Sequence, residues 1–310
     1  MMNRIEVEVL DPGLQTTFQD LGRSAGRSYG IPPGGAMDRF AHRAANELVR
    51  NSPTEATLEI TLQGPRLLFN TPALISITGA DLGPMVNDRP VPMWMSVFVR
   101  AGQVLSFTPR NLKPGLTGGK WGGRAYLAVH GGLAAPQSLD SRSTYLRAKF
   151  GGIKGEGRTI QPGDVLQSNP PRLRSFAEAA GRLFPANRCP SYSHAVTVRV
   201  QPGPYQEHFQ SEAYTHLFGQ PYRVTTDADR MGFRLEGPSL PHVSAALAEI
   251  PACGAVFGSI QVPANGQPII LMADHQVTGG YPIIGTVLSA DLPLVAQLLP
   301  GDEIRFVTTE

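Results

Sequence analysis

The period of the apolar positions changes several times along the chain, and each change marks an element. In residues 4–10 polar and apolar side chains alternate, with Ile5, Val7 and Val9 on one face, as in a half-buried strand. Asp11, Pro12 and Gly13 then turn the chain. Residues 13–33 show no period, are dense in turn formers and carry Gln19, Asp20, Arg23, Arg27 and Tyr29; they read as an ordered surface loop of the kind that carries function. Over residues 36–50, Met37, Phe40, Ala41, Ala44, Ala45 and Leu48 recur at the i, i+3, i+4 spacing of an amphipathic helix. Between residues 57 and 107 five β-rich runs follow, TLEITL, RLLF, ALISITG, MWMSVFV and QVLSF, broken by turn signals such as Gly64-Pro65 and Asn87-Asp88. Runs this short at this spacing predict a barrel or sandwich. A strand over 124–129 lies between long loops at 110–123 and 131–157, and residues 160–166 form a closing hairpin arm.

Prolines 170, 171, 185 and 190 flank an alanine-rich helix candidate over 176–183, which places a domain boundary here: an N-terminal β domain with one amphipathic helix over 1–185 and a C-terminal β domain over 186–310. In the second half, strands are expected over 196–200, 222–226, 256–262, 269–273 and 303–307. Residues 230–240 read as strand and turn, and helices are expected over 204–218, ended by Gly219, and 244–249.

Composition narrows the function classes. With 27 basic and 25 acidic residues the net charge is +2, too small a field for nucleic acid or an anionic membrane to be the main partner. The 34 glycines and 28 prolines are spread between apolar runs, as in an all-β chain with many turns. Two cysteines, Cys189 and Cys253, form no C-x-x-C, so neither a zinc ribbon nor a disulfide framework is expected, and Cys253 reads as a small core residue. The seven histidines have no metal-ligand spacing, so no metal site is expected. No signal peptide or apolar run of membrane length stands out, which points to the cytoplasm.

The chemistry concentrates in QVPANGQPIILMADHQVTGGYP, residues 261–282, where an apolar strand runs into Asp274, His275, Gln276, Thr278, Gly279, Gly280 and Tyr281, with Gln261 at its start. One reading makes this a wall of a small-molecule site: Asp274 or His275 moves a proton, Gln276 and Thr278 orient a substrate, and the glycine pair lets backbone approach it. The other makes it a polar hairpin turn. A second candidate is Gly34-Gly35 before the helix, with Asp38 in its first turn. It is either an anion cradle, the other half of the site, or an ordinary cap. Asp81 after a buried strand is a site acid or a turn former. Arg142 and Ser143, in Ser-Arg-Ser-Thr, are anion binders or a solvated loop. Gly118-Gly119-Lys120 is a near miss to a phosphate loop, since Pro114 and Trp121 stand where glycine and Ser/Thr are needed.

Several longer motifs resemble one family as a set. GLQTTFQDLGR from Gly13, YGIPPGGAMDRFAHRAANELV from Tyr29, ITGADLG from Ile77, RAYLAVHGGL from Arg124, DRMGFRLEGPSL from Asp229 and the long run from Ile260 are similar to the KipA-type family. Its members include the C-subunit of 5-oxoprolinase, the so-called second subunit of allophanate hydrolase, and part of the carboxyltransferase region of urea carboxylase. The resemblance implies a mainly β fold with cyclophilin-like β-barrel domains. It also implies an ATP-dependent, Mg-assisted opening of 5-oxoproline to glutamate, carried out with a KipI-type B-subunit and a LamB/YcsF-type A-subunit. It leaves two alternatives: carboxyl transfer from carboxybiotin to urea or a related amide, and a regulatory protein that antagonises a KipI-type kinase inhibitor. In the first scheme Gly34, Gly35 and Arg142 are implied for phosphate, Asp274 or His275 for proton transfer, and Asp38, Asp81 and Gln276 for magnesium or substrate. Where the family commonly reads Asp-Arg-Gln-Thr-Thr-Gly-Gly, this chain has Asp274-His275-Gln276-Val277-Thr278-Gly279-Gly280.

Overall fold

The computed structural model describes residues 4–108, 121–173 and 175–309. The chain forms two compact units, Met1–Arg23 with Gly34–Ser191, and Ser24–Pro33 with Tyr192–Glu310. The fold is mainly β, as expected, with few helices. The segment Ser24–Pro33, which the sequence boundary assigned to the first half, belongs with the second unit. There the Arg27 guanidinium donates to the Ala255 carbonyl at 3.1 Å, a tertiary contact with no local signature.

The first unit holds a six-stranded and a five-stranded sheet. The five-stranded sheet runs Gln15–Gln19, Thr57–Thr61, Arg124–Val129, Ala73–Gly79, Ser96–Val99, with antiparallel pairing throughout. Its central strands Arg124–Val129 and Ala73–Gly79 are buried at every residue, so apolar side chains such as Leu74 and Ile75, or Leu127 and Ala128, stand on both faces. The helix Arg39–Leu48 lies on this sheet and buries Ala41, Ala44, Ala45 and Leu48. Alanines at the contact let the sheet reach the helix backbone: the Ser76 hydroxyl donates to Ala45 O at 2.6 Å and the Thr78 hydroxyl to Ala41 O at 2.7 Å.

A buried polar network sets where that helix starts. Met37 N–H and the Tyr126 hydroxyl both donate to Glu59 Oε2, at 2.9 and 2.7 Å, and Asp38 N–H donates to the Tyr126 oxygen at 2.7 Å. The Asp38 carboxylate caps the first turn by accepting from Ala41 N at 2.8 Å, so the helix begins three residues later than its apolar period suggested. His42, fully buried one turn on, pairs with Thr57 Oγ1 at 2.9 Å and Pro53 O at 3.1 Å. Burial pushes its pKa down to about 4.

The second unit is a closed seven-stranded barrel in the order Ala195–Pro202, Ile283–Val287, Ser259–Gln261, Ile269–Leu271, Gly232–Glu236, Tyr222–Val224, Glu303–Thr308. It closes by parallel pairing of Ala195–Pro202 with Glu303–Thr308. Alternate residues Val196, Val198 and Val200 point inward with Phe233, Ile304 and Phe306, which fills the barrel with side chains. A two-stranded ribbon, Cys253–Gly254 with Thr278–Gly279, stands apart from the barrel pairing.

Several local expectations shift. The strand Gln15–Gln19 lies within what read as a loop, and Pro84–Val86, Arg89–Pro90 and Ile283–Val287 add strands that turn residues concealed. The helix expected over 204–218 starts at Ser211, after a 3-10 turn at Gln206–His208; that over 176–183 stops at Ala179, where Ala180 is extended and Gly181 has φ 86°. Most of the 110–123 loop, with Gly118, Gly119 and Lys120, lies outside the described residues.

The network under the helix ties stability to pH. His42 binds protons less tightly folded than unfolded, where its ordinary value is 6.5, so stability is full above pH 6.5 and falls by about 3 kcal/mol as pH drops toward 4. Urea unfolding across this range is expected to show that slope in the parent chain and a flatter one in His42→Gln. Tyr126→Phe strips a partner from Asp38 N and Glu59, and is expected to cost about 1–3 kcal/mol in the same measurement at neutral pH.

Candidate functional site

In the barrel unit the strand Ile269–Leu271 continues through buried Met272 and Ala273 into Asp274, placing a carboxylate at the end of an apolar element. Arg230, at the approach to the neighbouring strand Gly232–Glu236, grips it with both prongs: Nε donates to Oδ2 and Nη2 to Oδ1, each at 2.9 Å. Both side chains are buried, and Asp274 N–H donates in turn to Arg230 O at 2.8 Å. The fork uses both carboxylate oxygens and ties the strand end to the approach of its neighbour.

His275 is buried beside it, its Nδ1 paired with Gln276 O at 2.6 Å. Gln276 turns back and donates from Nε2 to Gln261 Oε1 at 2.9 Å. Gln261 is 1% exposed, and among the described residues its own Nε2 has no hydrogen-bond partner. The two amides lie against the backbone of Gly279: a Cβ there would stand 2.4 Å from Gln261 Nε2 and 3.3 Å from Gln276 Nε2, so a side chain at this position would displace the Gln261 amide. Thr278–Gly279 is held in the ribbon opposite Cys253–Gly254, Gly280 O accepts from Ile250 N at 2.9 Å, and Tyr281 is exposed. Cys253, expected as a core residue, is half-buried in this ribbon, and its thiol beside the Tyr205 hydroxyl raises the tyrosine's pKa. Gln261, Asp274, His275, Gln276, Thr278 and Gly279 therefore do come together. A separate cleft of about 540 Å³ in this unit is lined by Asp227, Arg234, Glu236, Asn265 and Gln267 and includes none of them.

In the first unit the candidates separate. Gly34 and Gly35 have φ 64° and 91°, and a Cβ on Gly35 would meet Gly22 N at 2.7 Å. The amides around that helix start have internal acceptors: Ala36 N–H donates to Asp20 O, Met37 to Glu59, Asp38 to Tyr126 and Ala41 to Asp38 itself. This is the hydrogen bonding of a capped helix start. Asp81 closes a turn by accepting from Gly83 N at 2.9 Å. Ser143 is fully buried with its hydroxyl on Asp20 Oδ1, so it anchors the loop and leaves Arg142 to face a cleft.

Two residues that matter here, Arg230 and the anchoring Asp20, were not expected as such from the sequence. Arg230 lies within the DRMGFRLEGPSL motif, but an arginine 44 residues before Asp274 has no local pattern that declares its partner. Among the described residues no group of three or more His, Cys, Asp or Glu gathers to hold a metal ion, and no helix is long and apolar enough to cross a membrane.

The family model for the carboxyltransferase domain, subdomain A and B, matches residues 29–308. The chain is 38% identical over 301 residues to the 5-oxoprolinase C-subunit of Haemophilus influenzae, covering 97% of this chain and 90% of that one, and 35% identical, with the same coverage, to the Escherichia coli protein of the same name. It is 33% identical to the urea amidolyase of Lachancea kluyveri over 97% of its own length but 17% of that protein's. The crystal structure of the K. lactis urea amidolyase superposes with a TM-score of 0.88 at 30% identity, covering 100% of this chain and 19% of that one. On these likenesses, with the barrel and its polar strand end in place, the chain belongs to the carboxyltransferase domain A and B family, whose members include the 5-oxoprolinase C-subunit and a domain of urea amidolyase.

Proposed function

We propose that this chain is one component of an ATP-dependent 5-oxoprolinase, which opens 5-oxoproline to glutamate together with a KipI-type and a LamB/YcsF-type subunit. The observation that carries the proposal is likeness over 90% of a relative named as the 5-oxoprolinase C-subunit. In this reaction the γ-phosphoryl group of ATP passes to the lactam oxygen. Water adds at the activated carbon, the ring C–N bond breaks and the nitrogen takes a proton. A second water hydrolyses the resulting acyl phosphate to glutamate and phosphate. The chemistry asks the protein mainly for positioning and charge stabilisation.

The barrel cluster suits that task. The unpartnered Gln261 Nε2 supplies a buried donor for an amide oxygen, and Gly279 and Gly280 let backbone lie close beside a flat ring. Because Arg230 occupies both oxygens of Asp274, the proton for the departing nitrogen is assigned to His275, while Asp274 fixes the loop. With no acidic cluster among the described residues, magnesium would arrive on the nucleotide phosphates. A second reading, transfer of carboxyl from carboxybiotin to urea or a related amide, is favoured by the fold match to urea amidolyase. The same donor would polarise that amide.

Turnover of 5-oxoproline by the reconstituted three-component complex tests the proposal. Gln261→Leu is expected to lower kcat by about a hundredfold, the usual loss for one removed donor. Wild-type turnover in that variant would sink the assignment. Carboxylation of urea with a biotinylated carrier, without lactam hydrolysis, would replace it with the second reading. Independently, Asp274→Ala leaves the Arg230 guanidinium buried without its carboxylate and is expected to cost about 3–5 kcal/mol in chemical denaturation. Much of this loss should be recovered by adding Arg230→Met.

A further inference from the structure

The first unit contains a cleft of about 460 Å³ whose lining includes Arg50, Arg142 and Arg172, with Glu55 as its acidic member. Among the described residues none of these arginine side chains makes a hydrogen bond or ion pair, and Arg142 Nε is fully shielded from solvent without an acceptor. Three cationic forks against one carboxylate leave an excess of two positive charges in one concavity. Neither solvent nor a carboxylate of the described residues satisfies the buried Arg142 Nε.

Each arginine is carried on backbone that is pinned by other polar groups, so the positive charges are held in place before any ligand arrives. Arg142 N–H donates to Asp20 Oδ2 at 2.6 Å and its carbonyl accepts from Gly152 N at 3.0 Å. Arg172 N–H donates to His130 Nε2 at 3.1 Å, while His130 Nδ1 bonds Val49 O at 2.7 Å, next to Arg50. This histidine therefore ties the flanks of two of the arginines together. Burial first, and then repulsion from Arg172 and Arg50, hold its pKa below the ordinary value, which keeps the acceptor face of Nε2 available. Arg50 itself sits at φ 57°, just past the end of the helix Arg39–Leu48, where glycine is the relaxed choice. Asn51 secures that strained corner by bonding Asn46, Val129 O and Gly131 N.

We infer that this cleft is a phosphoryl-binding site, taking the dianionic phosphate group shared by inorganic phosphate and the end of a nucleotide. Guanidinium forks match phosphate oxygens in pairs, and a dianion neutralises the excess charge where a single carboxylate would leave half of it. The inference rests on the ATP-dependent reading for where the phosphate comes from, while the site itself rests on the arginines. Arg50 and Arg172 join Arg142 in the cleft, and Ser143 supports it through Asp20.

Calorimetric titration of the full chain alone tests this, with inorganic phosphate, ADP and succinate at constant ionic strength. Saturable phosphate binding is expected, weakened about tenfold or more in Arg142→Ala and in Arg172→Ala. Arg182→Ala, whose guanidinium bonds Glu47 O elsewhere, should bind as the parent does. ADP binding tighter than phosphate identifies the nucleotide as the source; equal or weaker ADP binding identifies free phosphate, and either supports the site. No phosphate binding, equal binding by parent and arginine variants, or binding of succinate in place of phosphate would overturn it. An oxoprolinase complex that is active although the chain binds no phosphate would reject this site and leave the proposed function standing.

Discussion

The first unit depends on one buried carboxylate. Asp20 Oδ1 accepts from the Ser141 and Ser143 hydroxyls at 2.7 and 2.5 Å and from Gly22 N at 2.8 Å, while Oδ2 accepts from Arg142 N at 2.6 Å. Its main chain does as much: N–H donates to Ser143 Oγ and the carbonyl accepts from Ala36 N. A single residue thereby joins the end of the strand Gln15–Gln19, the Ser-Arg-Ser-Thr loop and the approach to the helix. Thr144 N–H donates to Phe18 O and Gln19 Nε2 to Thr144 O, which zips the loop onto the strand. Arg23 donates to Ser143 O and lies 4.6 Å over the Phe150 ring. Gly151, at φ 73°, is required because a Cβ there would meet the same Ser143 carbonyl. A long loop with little regular structure is thus fixed by hydrogen bonds that a buried charge makes strong.

The barrel unit solves the same problem with a cation. Asp274 has a full guanidinium fork where Asp20 has hydroxyls and amides. Burying an ion pair contributes little net stability, because desolvation offsets attraction, but removing one member is costly. The pair thus ties the end of the strand Ile269–Leu271 to Arg230, just before its neighbour in the barrel, and fixes the direction in which His275 and Gln276 leave it. Gln276 then orients Gln261, and Gly279 leaves room for both amides. The order runs from a buried strand, to a charge pair, to a neutral donor.

What could be read from the sequence follows from where the information lies. The helix Arg39–Leu48 and the runs Thr57–Thr61, Arg66–Phe69 and Ala73–Gly79 carry their own period or apolar density, so their existence was legible, and the Asp38 cap explained the late start of the helix. Gln15–Gln19 was not, because QTTFQ is polar yet mostly buried, and the Gln19 amide donates to Thr144 O, a partner that only tertiary structure supplies. The residues at 274–280 were legible as a cluster from their position after an apolar strand. Arg230 and Asp20 were not legible as anchors, since each finds its partners across 44 and more than 120 residues respectively.

Relatives with this fold carry names for different chemistry, one on a lactam and one on urea, and the barrel cluster suggests why the same frame serves both. Each substrate presents a planar amide whose oxygen a hydrogen-bond donor can hold in place while the reacting bonds change, at the oxygen and carbon of the lactam and at the nitrogen of urea. Under the proposed function, a buried amide donor held by a second amide would meet that need whether the group transferred is phosphoryl or carboxyl. Under the proposed function the choice falls to groups outside this cluster, and the arginine cleft of the first unit supplies the charge that favours a phosphate. Under that proposal the two properties are separable, because the amide donor belongs to the barrel unit and the cationic cleft to the first unit, and each can be removed by substitution without touching the other.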